Sequence, residues 1–208
     1  MTDEIVFYTN PMSRGRIVRW MLEEVGRPYR TELLDYGTTM KSPEYRAINP
    51  MGKVPAIRHG DTVVTEGGAI CAYLADAFPE AKLAPPLGEQ RRAAYYRWLF
   101  FAAGPVEAAV TNKALGFVVP EGGERMAGYG SFADVMNAME GAVSNSEYVA
   151  GDAFTAADVY FGSSIGWGLA FGTIEKRPAF ERYWARISAR SAAVRAREMD
   201  DALMPMQR

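Results

Sequence analysis

Residues 52–74, GKVPAIRHGDTVVTEGGAICAYL, constrain the fold more than any other part of the chain. Their pattern predicts a strand, a tight turn at residues 59–61, a second strand and then a helix. A cis bond before Pro55 would leave the backbone groups of Val54 available to a ligand. The acid and two glycines that open the helix would offer N–H groups and positive partial charge to an anion. The segment therefore predicts a site for an extended, peptide-like ligand that carries a carboxylate.

The rest of the first 80 residues alternates between strand and helix patterns. Apolar residues at helical spacing follow the first strand, and Gly26 and Pro28 end that helix in the usual order. The predicted order is βαβ and then αββα. The predicted elements are strands at 5–8, 30–34, 56–58 and 62–65 and helices at 13–25, 42–49 and 68–77.

The pattern changes after residues 81–90, a linker rich in proline and glycine. Every later element is predicted to be helical. Thr155 and Asp158 have the spacing of a capping box, and the helix that follows is apolar all round, as a buried central helix would be. We therefore predict a first domain at residues 1–80 and an all-helical domain at residues 91–208. Its predicted helices are 91–114, kinked at Gly104-Pro105, 130–148, 159–171 and 178–202.

Composition excludes several classes of function. A formal net charge of −2 offers no electrostatic footprint for nucleic acid. One cysteine, Cys71, and one histidine, His59, allow neither an internal disulfide nor a zinc site of the usual kind, so no metal is expected. No apolar run reaches 18 residues and the N-terminus lacks a signal-peptide pattern, so we expect a cytoplasmic protein that does not bind membranes.

Four features together resemble the cytosolic glutathione transferases. They are the order of the elements, Val54-Pro55 before a hairpin, Glu66-Gly67 before a helix, and a helical second half with Thr155-x-x-Asp158. The resemblance spans nearly the whole chain. The run TEGGAICAYLAD is similar to bacterial members of the beta type, and NPMSRGR to members that use serine or asparagine near the first helix.

This resemblance implies an α/β thioredoxin-like N-terminal domain, an all-α C-terminal domain and a homodimer. The implied activity is the joining of glutathione to a small hydrophobic electrophile that is held by the helical half. The implied role is detoxification. Phe117 and Trp167 are candidates for that electrophile pocket, although most aromatic residues there fit a core. Two alternatives stay open. One is a glutathione-dependent lyase, dehalogenase or isomerase of aromatic metabolites, and the other is a non-catalytic binding module.

Ser13, at the start of the first helix, is the candidate hydroxyl donor to the glutathione thiolate, and an ordinary helix cap is the alternative. A hydrogen bond to a charged group contributes roughly 1.5–3 kcal/mol and a helix N-terminus about 0.3–1 kcal/mol. Since one pKa unit corresponds to about 1.4 kcal/mol, the two would lower the thiol pKa by roughly two units. Arg16 matches an arginine that supports the thiolate in similar proteins. Tyr8 and Met12 are the alternatives to Ser13.

The other site residues are implied by the same resemblance. The Val54 backbone would pair with the cysteinyl part of glutathione. Glu66 and Gly67 would hold its γ-glutamyl end, because a carboxylate suits the ammonium group and a helix N-terminus suits the carboxylate. Many similar proteins have serine or threonine at Gly67, so one hydroxyl contact is lost here. Lys53 would pair with the glycyl carboxylate, unless it is simply an exposed turn residue.

Overall fold

The computed structural model describes residues 4–204 of the 208-residue chain. The described residues form two compact units, one within Met1–Leu83 and Arg190–Arg208 and the other at Ala84–Ala189. The strands are β1 (Ile5–Thr9), β2 (Tyr29–Leu33), β3 (Ala56–His59) and β4 (Thr62–Thr65). The α-helices are α1 (Gly15–Val25), α2 (Pro43–Arg46), α3 (Gly67–Ala77), α4 (Arg91–Phe101), α5 (Glu107–Ala114), α6 (Phe132–Ser144), α7 (Ala156–Phe171), α8 (Pro178–Ser188) and α9 (Ser191–Ala202).

The first unit contains a four-stranded mixed sheet in the order β2-β1-β3-β4. Strand β1 is parallel to β2 and antiparallel to β3, and β3 and β4 form the predicted hairpin. Every residue of β1 is buried, as expected for a central strand covered on both faces. This sheet with its helices is the predicted thioredoxin-like fold, and the helical second unit completes the predicted fold class.

Helix α1 follows its sequence pattern closely. Ile17, Met21 and Val25 are buried on one face, as the helical spacing predicted. The helix ends at Gly26, whose φ of 71° lies in the left-handed region and whose N–H donates to the carbonyl of Leu22 at 2.9 Å.

The last helical stretch differs from its prediction. One helix was predicted at residues 178–202, but the chain breaks into α8 and α9, with Arg190 extended between them (φ −60°, ψ 141°). Helix α9 packs against α1 in the first unit. The predicted helical domain at residues 91–208 and the observed second unit therefore differ in this C-terminal segment.

Among residues 4–204, four ion pairs join α1 to the segment that begins at Arg190. The arginines of α1 lie near its N-terminus and its glutamates near its C-terminus, an order that the helix dipole disfavours. The C-terminal segment has the same unfavourable order, so antiparallel packing brings opposite charges together along its length. The pairs are Arg16–Asp201, Arg19–Asp200, Glu23–Arg195 and Glu24–Arg190.

One of these pairs is buried. Arg19 Nε lies 2.7 Å from Asp200 Oδ1, and each side chain is only 1% exposed. The guanidinium also lies over the ring of Phe7, 5.2 Å from its centroid. Burial raises the pKa of the Asp200 carboxyl, and the charge of Arg19 acts against that rise. Removing one partner would leave a buried charge alone, so breaking this pair would destabilise the packing of α9 on α1.

The second unit is built around α7, the predicted buried central helix. Gly166 allows α8 to approach it closely, since a Cβ there would meet the ring of Trp184 at 2.5 Å. The predicted kink at Gly104-Pro105 occurs as a π-helical segment, Ala102–Val106, between α4 and α5. Helix α6 is shorter than predicted, since it begins after the Ser131 cap and ends at Ser144.

The predicted capping box at the start of α7 is confirmed. Thr155 Oγ1 accepts the N–H of Ala157 at 3.2 Å, while Asp158 Oδ2 accepts the N–H of Thr155 at 2.9 Å. Asp158 Oδ1 also accepts from the Val149 N–H at 2.8 Å and from the Tyr183 hydroxyl at 2.7 Å. Burial raises the pKa of this carboxyl, and its hydrogen bonds oppose the rise. Asp158 thus joins the helix start to two other parts of the unit.

Replacing this carboxylate should destabilise the protein strongly. Asp158→Ala leaves two buried N–H groups and the Tyr183 hydroxyl without their acceptor, so we expect the free energy of unfolding to fall by about 3 kcal/mol or more. Urea unfolding measures the change. Asp152→Ala is the matched control, because Asp152 is exposed and its loss should cost less than about 0.5 kcal/mol. Equal stability of the two variants would contradict this role.

Candidate functional site

The register of the sheet brings the predicted site segments to one edge. Tyr8 of β1 lies opposite Ala56 of β3, and Ala56 lies opposite Thr65 of β4. The segments at one end of the sheet are therefore neighbours. They follow Thr9, precede Ala56 and follow Thr65. These three segments converge although they are far apart in sequence. They contain the predicted site residues Ser13, Lys53, Val54, Glu66 and Gly67.

Ser13 lies in the turn between β1 and α1. Its hydroxyl donates to the carbonyl of Asn10 at 2.7 Å and accepts the N–H of Gly15 at 2.9 Å. The residue is 8% exposed. The accepted bond serves the helix start, and the single hydroxyl proton is directed to the backbone. A thiolate would have to compete for that proton with the Asn10 carbonyl.

Gly15 lets α1 begin directly against the end of β1. A Cβ at Gly15 would lie 1.9 Å from Thr9 Oγ1 and 3.0 Å from Ser13 Oγ. Thr9 is buried, and among the described residues its Oγ1 has no hydrogen-bond partner. Sequence reasoning did not identify Thr9 or Gly15, because their close approach depends on how the helix folds back onto the strand.

Arg16 braces the same turn. Its Nε donates to the carbonyl of Pro11 at 2.6 Å, and its guanidinium forms an ion pair with Asp201 of α9 at 2.8 Å. Arg16 thus binds a backbone carbonyl of the turn and also forms an ion pair with the C-terminal helix. No local sequence signal could have paired it with an acid so far along the chain.

The Val54-Pro55 bond is cis. Among the described residues, the backbone of Val54 forms no hydrogen bond to another backbone group. The neighbouring carbonyl of Lys53 is held by two donors, the Tyr45 hydroxyl and Asn49 Nδ2, each at 2.7 Å. The sequence marks Asn49 only as the end of the predicted helix 42–49, and no local signal indicates that its side chain fixes the segment before Val54.

Two lysines lie near this segment. Lys53 is exposed, and Lys41 Nζ donates to the carbonyl of Gly52 at 2.5 Å. Of these two lysines, the sequence motif indicates only Lys53. The structure adds Lys41, which comes from the 3₁₀ turn before α2 and carries a second positive charge to the same stretch of backbone.

Glu66 has a strained backbone at the start of α3. Its φ of 66° lies in the left-handed region, which a non-glycine residue occupies at a cost of about 1–3 kcal/mol. It takes the N-cap position of α3 without capping the helix through its own side chain. The Glu66 side chain therefore does not satisfy the first N–H groups of the helix, from Gly67 onward, and such groups are suited to binding an anion. The exposed Glu66 carboxylate lies beside them.

The alternatives to Ser13 are positioned differently. Tyr8 packs against Tyr45 in a hydrophobic cluster, with ring centroids 5.7 Å apart. Burial raises the pKa of Tyr45 to about 12, so this neighbour stays neutral. Met12 is exposed, and its backbone carbonyl accepts the Tyr36 hydroxyl at 3.0 Å.

Cys71 and His59 have structural surroundings. Cys71 is fully buried inside α3, and burial raises the pKa of its thiol far above the ordinary value. His59 Nδ1 lies 2.9 Å from the Tyr73 hydroxyl, and the ring packs on Phe78. Neither side chain is placed for nucleophilic chemistry.

The helical unit has a cavity of its own, of about 280 Å³. Phe117, Tyr129 and Phe132 contribute aromatic surface to it, and Lys113 lies over the Phe132 ring, 3.7 Å from its centroid. Phe117, one of the two predicted pocket residues, therefore lines a cavity. Trp167 packs on Phe171 instead, with ring centroids 6.4 Å apart.

Between residues 4 and 204, the structure has no group of three or more histidine, cysteine or acidic side chains arranged to hold a metal ion. Nor does any helix in that range have the length and apolar character needed to span a membrane.

Two family models match separate parts of the chain. They describe the N-terminal domain of glutathione S-transferases, at residues 12–77, and the C-terminal domain of glutathione S-transferases, at residues 124–191. Together they cover more than half of the chain. The chain belongs to the glutathione S-transferase family.

Individual members of this family support the assignment. Glutathione S-transferase GstA of Escherichia coli O157:H7 is 29% identical over 130 residues, which are 61% of this chain and 63% of GstA. A glutathione transferase structure from Methylococcus capsulatus is 27% identical, with a TM-score of 0.79 over 95% of this chain and 99% of that one. The glutathione transferase URE2P6 of Phanerochaete chrysosporium, solved with oxidized glutathione, is 25% identical, with a TM-score of 0.78 over 96% and 97%.

In this member of the glutathione S-transferase family, Gly15 should be required for the turn that contains Ser13. A Cβ in Gly15→Ala forces Thr9 or the turn to shift, so we expect the free energy of unfolding to fall by about 1–3 kcal/mol. Adding Thr9→Ala, which removes the nearest atom, should restore part of the loss. Urea unfolding of the three proteins measures both effects.

Gly141→Ala is the control for this test, because nothing lies within 4 Å of a Cβ at that helical position. It should be neutral or stabilise the protein by up to about 1 kcal/mol. A Gly15→Ala variant as stable as Gly141→Ala would show that the turn tolerates a side chain.

Proposed function

We propose that this protein is a glutathione transferase that binds glutathione along the sheet edge and joins its sulfur to a small hydrophobic electrophile. The convergence of three segments at that edge, each presenting a group suited to one part of glutathione, carries the proposal. On the strength of the sequence resemblance, the proposal also includes five further properties. They are a serine-type, beta-like subclass, a bacterial source, a role in detoxification, a homodimer and a cytoplasmic location.

Glutathione fits these segments in an extended conformation. Its γ-glutamyl carboxylate would meet the N–H groups at Gly67, and its ammonium group the carboxylate of Glu66. The cysteinyl backbone would pair with the N–H and C=O of Val54. The glycyl carboxylate would lie toward the positive charge of Lys53, with Lys41 adding to the potential there.

The geometry of Ser13 suggests how the thiol would be activated. A hydrogen bond to a charged acceptor is worth roughly 1.5–3 kcal/mol, against about 0.5–1.5 kcal/mol for a neutral one. A thiolate would therefore draw the hydroxyl proton of Ser13 away from the Asn10 carbonyl. The N–H of Gly15 would continue to donate to Ser13 Oγ, which makes the hydroxyl a better donor. Arg16, fixed on Pro11, would add positive charge to the same turn.

A second candidate function, a non-catalytic glutathione-binding module, follows from the same hydroxyl. In this structure the Ser13 proton is already used by Asn10, and the turn is held by backbone bonds. If that bond persists with glutathione bound, the thiol is not activated. A glutathione-dependent lyase, dehalogenase or isomerase would use the same thiolate, and analysis of the products would distinguish it from a transferase.

Ser13→Ala separates catalysis from binding. We expect kcat/KM with an activated aryl halide to fall about 10- to 100-fold because the thiolate loses its donor, while glutathione affinity changes less than about twofold. Steady-state kinetics and calorimetry measure these quantities. Ser144→Ala, at an exposed helix end, should change neither. A wild-type protein that binds glutathione without turnover would instead support the binding module.

Glu66→Gln tests the γ-glutamyl end. Removing the charge that faces the ammonium group should raise the KM for glutathione about tenfold with kcat little changed. Glu44→Gln serves as the control, because it removes an exposed carboxylate from the first turn of α2 in the same unit. An unchanged KM in Glu66→Gln would contradict the proposed position of glutathione.

A further inference from the structure

We propose that Asp201, in the last turn of α9, is a positioning residue for glutathione activation. It would act through Arg16, which holds the turn that contains Ser13. The inference rests on the proposed function, and it adds to it a residue from the far end of the chain.

The connection is a chain of short contacts. The carboxylate of Asp201 lies 2.8 Å from one guanidinium nitrogen of Arg16, and Arg16 Nε donates to the carbonyl of Pro11 at 2.6 Å. Pro11 follows Asn10, whose carbonyl accepts the hydroxyl of Ser13. A change in the direction of the Arg16 side chain would therefore reach the Ser13 hydroxyl through three residues of one turn.

Arg16 needs a partner to stay in this position. It lies in the first turn of α1, where the helix dipole disfavours a positive charge. Asp201 offsets that cost and fixes the second end of the guanidinium, so the Nε–H remains directed at Pro11. Without the carboxylate, the side chain gains rotamers that point into solvent.

Exposure distinguishes Asp201 from its neighbour. The Asp201 side chain is 57% exposed, so its ion pair contributes little to the stability of the fold. The Asp200 side chain is 1% exposed and pairs with the buried Arg19. Adjacent acids on α9 therefore have different tasks. Asp200 holds the helix in place, and Asp201 directs Arg16.

Asp201→Asn tests the proposal, because it keeps the shape of the side chain and removes its charge. We expect kcat to fall about three- to tenfold, the pH profile of kcat/KM to shift toward higher pH, and the KM for the electrophile to stay the same. The absorbance of the bound thiolate should titrate at correspondingly higher pH, while the urea midpoint should not change. Asp201→Glu, which retains the charge, should recover most of the rate.

Arg195→Gln is the matched control. It breaks the Arg195–Glu23 pair, another partly exposed ion pair between α9 and α1, away from the turn. Rate and pH profile should match those of the wild type. An Asp201→Asn variant with an unchanged pH profile, or one whose loss of rate follows a loss of stability, would overturn the proposal.

Amide hydrogen exchange in residues 10–16 of the free protein provides a readout that does not require activity. Exchange there should be faster in Asp201→Asn than in wild type or Arg195→Gln. If the wild type has no transferase activity, faster exchange still supports the positioning of the turn, while the proposed function fails separately. Equal exchange in all three proteins would overturn the positioning role.

Discussion

The antiparallel pairing of β1 with β3 is the constraint on which the candidate site depends. It places the end of one strand beside the start of the other, and the β3–β4 hairpin brings a third segment to the same edge. A shift of one residue in this register would turn Ile57 out of the core. Burial of these apolar side chains therefore fixes the polar groups that leave the sheet next to them.

Local signals in the sequence were enough to predict most of the fold. The β3–β4 hairpin, the glycine that ends α1 and the Thr155–Asp158 capping box depend on residues close together in the chain, so their patterns could be read directly. The break between α8 and α9 could not, because Arg190 continues a helical pattern. The extended backbone of Arg190 accompanies the packing of α9 on α1. Arg190 also pairs with Glu24, which is distant in sequence.

The site was predictable as a set of segments but not as a set of contacts. Positions such as Ser13, Val54 and Glu66 follow from motifs, whereas the hydrogen bonds of Ser13 depend on how one turn closes. The side chain of Asn49 holds the carbonyl of Lys53, and the side chain of Asp201 pairs with Arg16. Neither contact leaves a signal in the predicted residue that it supports.

The burial of Cys71 has a consequence for the proposed reaction with an electrophile. A protein that catalyses such a reaction is exposed to alkylation by its own substrates, and a cysteine thiolate would be the most vulnerable group. This chain has one cysteine, which is enclosed in α3 and kept protonated by its surroundings. If the protein catalyses the proposed reaction, an electrophile at the sheet edge would meet its reactive thiol in the bound glutathione, which would leave with the product and be replaced in every cycle.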